Sequence, residues 1–269
     1  MGRRRGNGPG NRVCLSGRLQ MLADMVTIGN RLVDVGCDHG FLSIWLVSGG
    51  VCPKALAMDV RQGPLASARA HIEAFGLENY IETRMSDGLE KYNAGEADTL
   101  VCAGMGGRLT ERILRAGMEK AAQMKEMILQ PQSELSDVRR FLRENGFAII
   151  QEDAVLEEGK YYFAMKAVPA WKGEKYTKEA GRQSLYDLYG EQLLTGRHPV
   201  LRQYLQQRQC SVRQLEEVLA AAGSQKAEVR LQEVRNELTQ IEAALDFFGR
   251  RPGGITNECT KRAESLCGN

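Results

Sequence analysis

The chain is poor in aromatic residues (6%), has three histidines, and contains no apolar stretch long enough for a signal peptide or a membrane span. Its seven cysteines form no C-x-x-C pair and share no metal-ligand spacing with the histidines. That argues against a metal centre and for reduced thiols in a cytoplasmic protein. Charge of neither sign dominates: Lys+Arg 36 against Asp+Glu 34 leaves a net +2, which excludes a globally basic nucleic-acid binder and requires any such surface to be a local patch. One such patch is N-terminal, where Arg3, Arg4, Arg5, Arg12 and Arg18 meet no acidic residue. Residues 1–11, basic and glycine-rich, are expected to be disordered.

What the chain does contain is organised around Leu32-Val33-Asp34-Val35-Gly36-Cys37-Asp38-His39-Gly40-Phe41-Leu42. A short apolar run, a turn with two glycines and a resumed helical pattern predict a strand, a tight turn and a helix start, the junction where α/β proteins hold nucleotides. The spacing is G-x-x-x-G, not G-x-G-x-x-G, so an adenosine without phosphates fits better than a dinucleotide. Gly36 lets the ligand approach the backbone, and Gly40 lets the next helix sit close to the strand. A second apolar strand ends at Asp59, about twenty residues on, where an acid either accepts ribose hydroxyls or caps the next helix. Met85-Ser86-Asp87-Gly88 is an acid before a turn glycine: a plain turn, or an acceptor for an adenine amine. The fourth strand runs into Gly104-Met105-Gly106-Gly107, which strips side chains from the rim where the first and fourth strands would lie side by side.

Before the first strand, Leu15, Leu19, Leu22, Ala23 and Val26 repeat at helical spacing, with Ser16 or Asn11 as cap and Arg18 off the apolar stripe. Helices are expected between the first five strands. Phe147 to Ile150 and Tyr161 to Ala167 read as a hairpin that closes the sheet with an antiparallel edge strand. Arg139, Arg140 and Arg143 on the preceding helix read as a solvated face. Beyond Trp171 strand patterns stop. Leu201, Leu205, Arg208, Val212, Leu215 and Leu219, then Leu231, Val234, Leu238, Ile241 and Leu245, step by three and four and predict an antiparallel coiled coil. The fold class is therefore α/β, a Rossmann-like doubly wound sheet over residues 12–168, followed by a helical coiled-coil domain over 169–250 and a loose tail over 251–269. The heptads could also pair between chains, so monomer and dimer both stay open.

Taken in order, Leu15-Ser16-x-Arg18-Leu19, Asp34-x-Gly36-x-Asp38-His39, Ser86-Asp87-Gly88-Leu89-Glu90, Ala103-Gly104-Met105-Gly106-Gly107, Leu129-Gln130-Pro131 and Glu157-Glu158-Gly159-Lys160-x-Tyr162 resemble the bacterial tRNA (adenine-22-N1)-methyltransferase family. The resemblance implies a class I methyltransferase that uses S-adenosylmethionine and acts on tRNA. It places Asp34, Gly36, Cys37, Asp38 and Gly40 around the amino-acid part, Asp59 and Val60 at the ribose, and Ser86, Asp87 and Gly88 at the adenine. Ala103, Gly104, Met105 and Gly106 would floor the transfer site. Because the methylated ring becomes cationic, Asp38 and His39 are expected to line its place as catalytic residues, His39 being equally plausible as a structural histidine, and Arg18, Phe41, Gly107, Gln130, Pro131 and Arg139 are expected contacts to the RNA. The chain departs from the family pattern at Cys37 for serine, Phe41 for tyrosine, Asp59 for glutamate and Gln132 for asparagine. Two alternatives carry other expectations: a methyltransferase for a protein or small molecule, and a non-catalytic protein that dimerises through its coiled coil.

Overall fold

The computed structural model describes residues 13–170, 180–222 and 224–249. The expected disorder of residues 1–11 and 251–269 falls outside them. Two compact units divide the chain, one ending at Thr177 and the other starting at Lys178.

The first unit opens with helix α1 (Gly17–Met25), and of the two candidate caps it is Ser16 whose hydroxyl accepts the Leu19 N–H at 3.4 Å. Strands β1 (Leu32–Val35), β2 (Ala55–Asp59), β3 (Ile81–Met85), β4 (Thr99–Met105), β5 (Glu126–Pro131), β6 (Phe147–Glu157) and β7 (Lys160–Pro169) form one sheet in the order β3-β2-β1-β4-β5-β7-β6. The first five are parallel, and the order reverses between β1 and β4, which leaves a crevice at their carboxyl ends. Strands β1, β2 and β5 are buried along their whole length, as expected of central strands covered on both faces. Met127, Ile128 and Leu129 of β5 are fully enclosed, each contributing about 1.5–3 kcal/mol of burial. The covering helices are α1 and α2 (Phe41–Ser48), α3 (Gln62–Ala74), α4 (Gly107–Ala116), α5 (Met118–Ala121) and α6 (Leu135–Glu144).

Three expectations need correction. No helix joins β3 to β4: residues 86–98 form turns, held by Tyr92, whose buried hydroxyl donates to the Ala97 carbonyl at 3.3 Å, and by the Arg84–Glu96 ion pair at 2.8 Å. The antiparallel strand is not at the edge. The long β6–β7 hairpin folds back so that β7 lies between β5 and β6, which puts β6 outermost. Arg139 is no surface cation. It is 4% exposed, and its Nε donates to Glu152 Oε1 on β6 at 2.8 Å, so it cannot reach an RNA phosphate without leaving a buried carboxylate behind.

The second unit holds α7 (Ala180–Tyr189) and α8 (Glu191–Thr195), neither anticipated, then α9 (Pro199–Ala222) and α10 (Gln225–Asp246), which pack together as the expected hairpin. Leu201, Leu205 and Val212 of α9 and Val234, Ile241 and Ala244 of α10 are buried, whereas Leu215 and Val218 near the tip are exposed. The seam is therefore more open near the tip, although Ala227 there is buried. Arg208 interrupts the heptads because it pairs with Glu237 across the hairpin at 2.6 Å, and Arg235 pairs with Glu216 at 2.9 Å. Among the described residues no helix is long and apolar enough to cross a membrane.

The buried pair gives the fold a direct test. Glu152→Ala, which removes the buried carboxylate facing Arg139, is expected to lower stability by about 3–5 kcal/mol in urea titration, and the double replacement Arg139→Met, Glu152→Leu to recover most of that loss. Equal midpoints for wild type and Glu152→Ala would show that the pair is not closed in solution.

Candidate active site

A cleft of about 470 Å³ opens at the carboxyl edge of the sheet, lined by the ends of β1, β2 and β4, the loop after β3, and helices α1 and α4. Asp34, Gly36, Cys37, Asp38, Asp59, Val60, Ser86, Asp87, Gly88, Ala103, Gly104 and Met105 all border it.

The turn after β1 is shaped by its own hydrogen bonds. The Gly36 and Cys37 amides both donate to the Met58 carbonyl, at 2.8 and 2.9 Å, and the Gly40 amide donates to Cys37 at 2.8 Å. The Asp38 amide faces Asp59 Oδ2 at 3.4 Å. Amides spent in this way cannot cradle a phosphate, which agrees with the G-x-x-x-G spacing. Gly36 sits at φ +77°, which is what requires glycine there, and a Cβ would also displace the flexible end of Met105. Asp38 also occupies the left-handed region at φ 49°, a strained position for a non-glycine residue.

Carboxylates dominate the electrostatics. Asp59 is 5% exposed, accepts the Arg61 amide at 2.9 Å, and keeps an edge on the cleft. The helix cap itself is Arg61, so Asp59 is not spent as an N-cap residue. Asp34 is equally buried, and burial first, then repulsion from Asp59, pushes its carboxyl up to about 6 despite a hydrogen bond from Ser43 at 2.9 Å. Burial and the neighbouring acids likewise push the Cys37 thiol up, which keeps it neutral and unreactive. On the rim, the exposed Phe41 ring stacks on His71 at 4.6 Å, and His39 Nε2 lies 3.7 Å from Asp38 Oδ2. Among the described residues no group of three or more metal-binding side chains occurs.

Residues 15–165 match the methyltransferase domain family. The tRNA (adenine(22)-N(1))-methyltransferase of Bacillus subtilis is 31% identical over 246 residues, spanning 88% of this chain and 99% of the relative. The chain belongs to the tRNA (adenine(22)-N(1))-methyltransferase family. The crystal structure of B. subtilis TrmK superimposes with a TM-score of 0.74 at 29% identity, covering 86% of this chain and 99% of that one. A Streptococcus pneumoniae protein, a candidate tRNA (m1A22) methyltransferase solved in complex with S-adenosyl-L-methionine, matches at 31% identity and TM-score 0.74, with 86% and 100% covered.

Within this tRNA (adenine(22)-N(1))-methyltransferase frame, not every residue expected at the site faces the cleft. Gly40 packs its Cα against helix α3, where a Cβ would come within 3.2 Å of Ala68, and so serves helix–helix closeness and not strand contact. The glycines of the 104–107 segment do three different things. Gly104, at φ +74°, forms a β-bulge between Ala103 and Met105 on the cleft. Gly106 caps α4 and lies near Ser133, and Gly107 is closed against the Ser133 carbonyl, away from the cleft. Gln130 and Pro131 belong to buried β5 and lie behind the cleft wall, whereas Gln132 borders it. Several lining residues went unpredicted, among them Arg61 and, on α4, Leu109, Arg112 and Ile113. For the α4 residues, their spacing of three and four on the helix directly after the glycine loop was the available signal, since it puts all three on one face. Arg112 also engages Asp87 Oδ1 at 3.3 Å.

The Asp34 shift has a sign that can be measured. Its folded carboxyl holds a proton more tightly than the unfolded one, so the penalty is absent below about pH 4 and complete above about 6, where it is on the order of 3 kcal/mol. Asp34→Asn is expected to gain about 1.4 kcal/mol over wild type between pH 5 and pH 8 in denaturant titrations. A pH-independent difference would place Asp34 in water.

Proposed function

We propose that this protein transfers a methyl group from S-adenosylmethionine to N1 of adenine 22 in tRNA, in the cytosol. The observation that carries the reading is the cleft itself: buried acids at the ends of β1 and β2, and a glycine turn whose amides are already engaged, in a chain of this family. The residues present fit the cofactor. The cleft volume suits a nucleoside-sized ligand, and carboxylates suit hydroxyls and amines where they would repel phosphate. Asp34, Gly36, Cys37 and Asp38 would hold the amino-acid end, Asp59 and Val60 the ribose, and Ser86, Asp87 and Gly88 the adenine. Asp34 and Asp59 also favour a ligand that carries positive charge. The same intact acids speak against a site that has lost its chemistry.

When bound, S-adenosylmethionine supplies a methyl group already activated by its sulfonium. The protein's work is then positioning. Adenine N1 lies on the pairing edge, so the base must leave its stack before it can meet the Gly104 floor. Phe41, exposed on the rim and backed by His71, offers a ring face for that base. The Asp38 carboxylate, largely exposed at the cleft, stabilises the positive charge that the methylated ring acquires, and His39 orients it.

Purified protein, labelled S-adenosylmethionine and unmodified bulk tRNA test this directly. One methyl group per acceptor tRNA is expected, with reverse transcription stopping at adenine 22 because its pairing edge is blocked. Asp59→Ala is expected to weaken cofactor binding at least about tenfold by calorimetry, and Asp38→Ala to weaken it less while turnover at saturating cofactor falls about a hundredfold. Label in metabolite or protein fractions but not in tRNA would refute the reading. Wild-type turnover by Asp38→Ala would remove that residue's role.

A further inference from the structure

Arg18 borders the cleft beside the Gly104 bulge, and among the described residues no carboxylate pairs with its guanidinium. It is held instead by neutral groups. Its Nη1 donates to Gln130 Oε1 at 3.2 Å, and its guanidinium carbon lies 5.7 Å from the centre of the Tyr162 ring on β7. The same Gln130 oxygen accepts the Gly104 amide at 3.2 Å, so one buried amide ties the cation to the bulge that floors the cleft. The Gln130 nitrogen, also buried, meets no acceptor among the described residues. An unmatched donor costs about 1–3 kcal/mol, which suits a side chain whose oxygen has a fixed task.

The backbone of Arg18 is held as firmly. Glu157, at the end of β6, accepts the Gly17 amide at 2.7 Å through one oxygen and the Arg18 amide at 3.2 Å through the other. These are first-turn amides of α1, which have no partner within the helix. At the other end of α1, Lys166 on β7 donates to the Met25 carbonyl at 2.9 Å, so the helix is pinned to the hairpin at both ends. A cation fixed by its backbone, its side chain and a ring, yet left without a counter-charge in a cleft, is a seat for an anion.

We propose that Arg18 binds the backbone phosphate of the nucleotide to be methylated, and that Glu157 and Gln130 are the positioning residues that build this seat. The proposal rests on the tRNA-methylating reading above. Its location sets it apart from the ribose and adenine of the cofactor: Gly104, Gln130 and Gln132 belong to the β4–β5 side of the cleft, opposite the acids of β2 and the β3 loop, and the cofactor's carboxylate at the neighbouring β1 turn is the competing anion that the test separates. Seating the phosphate there holds the extruded nucleotide by its backbone while the base stays free to present N1.

The test uses the full-length protein, with tRNA affinity measured across a salt series, methylation kinetics, and cofactor calorimetry. The wild type must first methylate tRNA, and failure there overturns both the reading and this proposal. Arg18→Ala is expected to raise KM for tRNA about ten- to a hundredfold and to reduce the slope of log affinity against log salt by about 0.9, with cofactor affinity unchanged. Arg18→Lys keeps the charge and is expected to retain the slope. Glu157→Ala is expected to raise KM with less change in kcat, and Glu157→Gln, which keeps an acceptor for α1, to restore most of it. If the wild type methylates tRNA while Arg18→Ala leaves the salt slope intact, the phosphate seat alone is overturned. Weakened cofactor binding in Arg18→Ala with an unchanged slope would assign the seat to the cofactor's carboxylate and equally overturn it.

Discussion

Two carboxylates buried side by side at the end of a parallel sheet repel each other and have lost their water, and the rest of the site is arranged around that cost. Val35 of β1 and Met58 of β2 are paired neighbours, so Asp34 and Asp59 are brought to adjacent strand ends by register alone. Asp59 is compensated by the Arg61 amide and, more weakly, by that of Asp38. Asp34 has one hydroxyl and stays under-compensated, as its raised proton affinity shows. A ligand with positive charge on one part and hydroxyls on another relieves both acids at once. A phosphorylated nucleotide would make both worse. The discrimination against dinucleotides thus comes from charge as well as from the turn amides that Met58 withdraws.

Most of the cofactor half was legible in the sequence because it is local. The acid, the turn glycine and the next acid lie within one strand–turn–helix–strand passage, and their meeting in space follows from right-handed parallel connection. The glycines after β4 were legible as a cluster but not as individuals. Only coordinates separate Gly104, which bulges at the cleft, from Gly107, which is closed against Ser133, because the distinction depends on what a segment about thirty residues away places beside each. Arg139 failed for a similar reason. Its partner Glu152 sits in a strand of mixed polarity that reads equally well as an exposed edge, and nothing in the helix pattern marks one arginine of three as buried. The β3–β4 crossover misled in the opposite direction: the usual alternation of strand and helix suggested a helix where Tyr92 and an ion pair hold turns.

The opposite wall of the cleft, proposed above to seat the acceptor, is built on a different principle. It takes Arg18 from the helix before the first strand, Gly104 from the fourth, Gln132 from just beyond the fifth, and Tyr162 and Glu157 from the hairpin that closes the sheet. Only Glu157 and Tyr162 share a motif, and the others come from separate stretches of the chain. The order in which the sheet is assembled matters here, because folding β7 inward against β5 is what carries the hairpin to α1. Were β7 outermost, Tyr162 would belong to the sheet's margin, away from the strands that bear Gly104 and Gln130. The position of one antiparallel strand therefore decides whether Arg18 is a surface cation or part of the cleft.

This division has a physical consequence for how the two halves tolerate change. The cofactor half is compact in sequence and rests on main-chain conformation at Gly36 and Asp38, so substitutions there act on one ligand through backbone strain and space. The β4–β5 half rests on contacts across more than a hundred residues of chain, such as Glu157 with the Gly17 amide, and Glu157 and Lys166 also pin α1. Loosening α1 would leave Asp34, Asp59 and the turn untouched while withdrawing Arg18 from Gly104. If the proposed roles hold, binding of the methyl donor and placement of its acceptor depend on different elements that meet at the edge between β1 and β4.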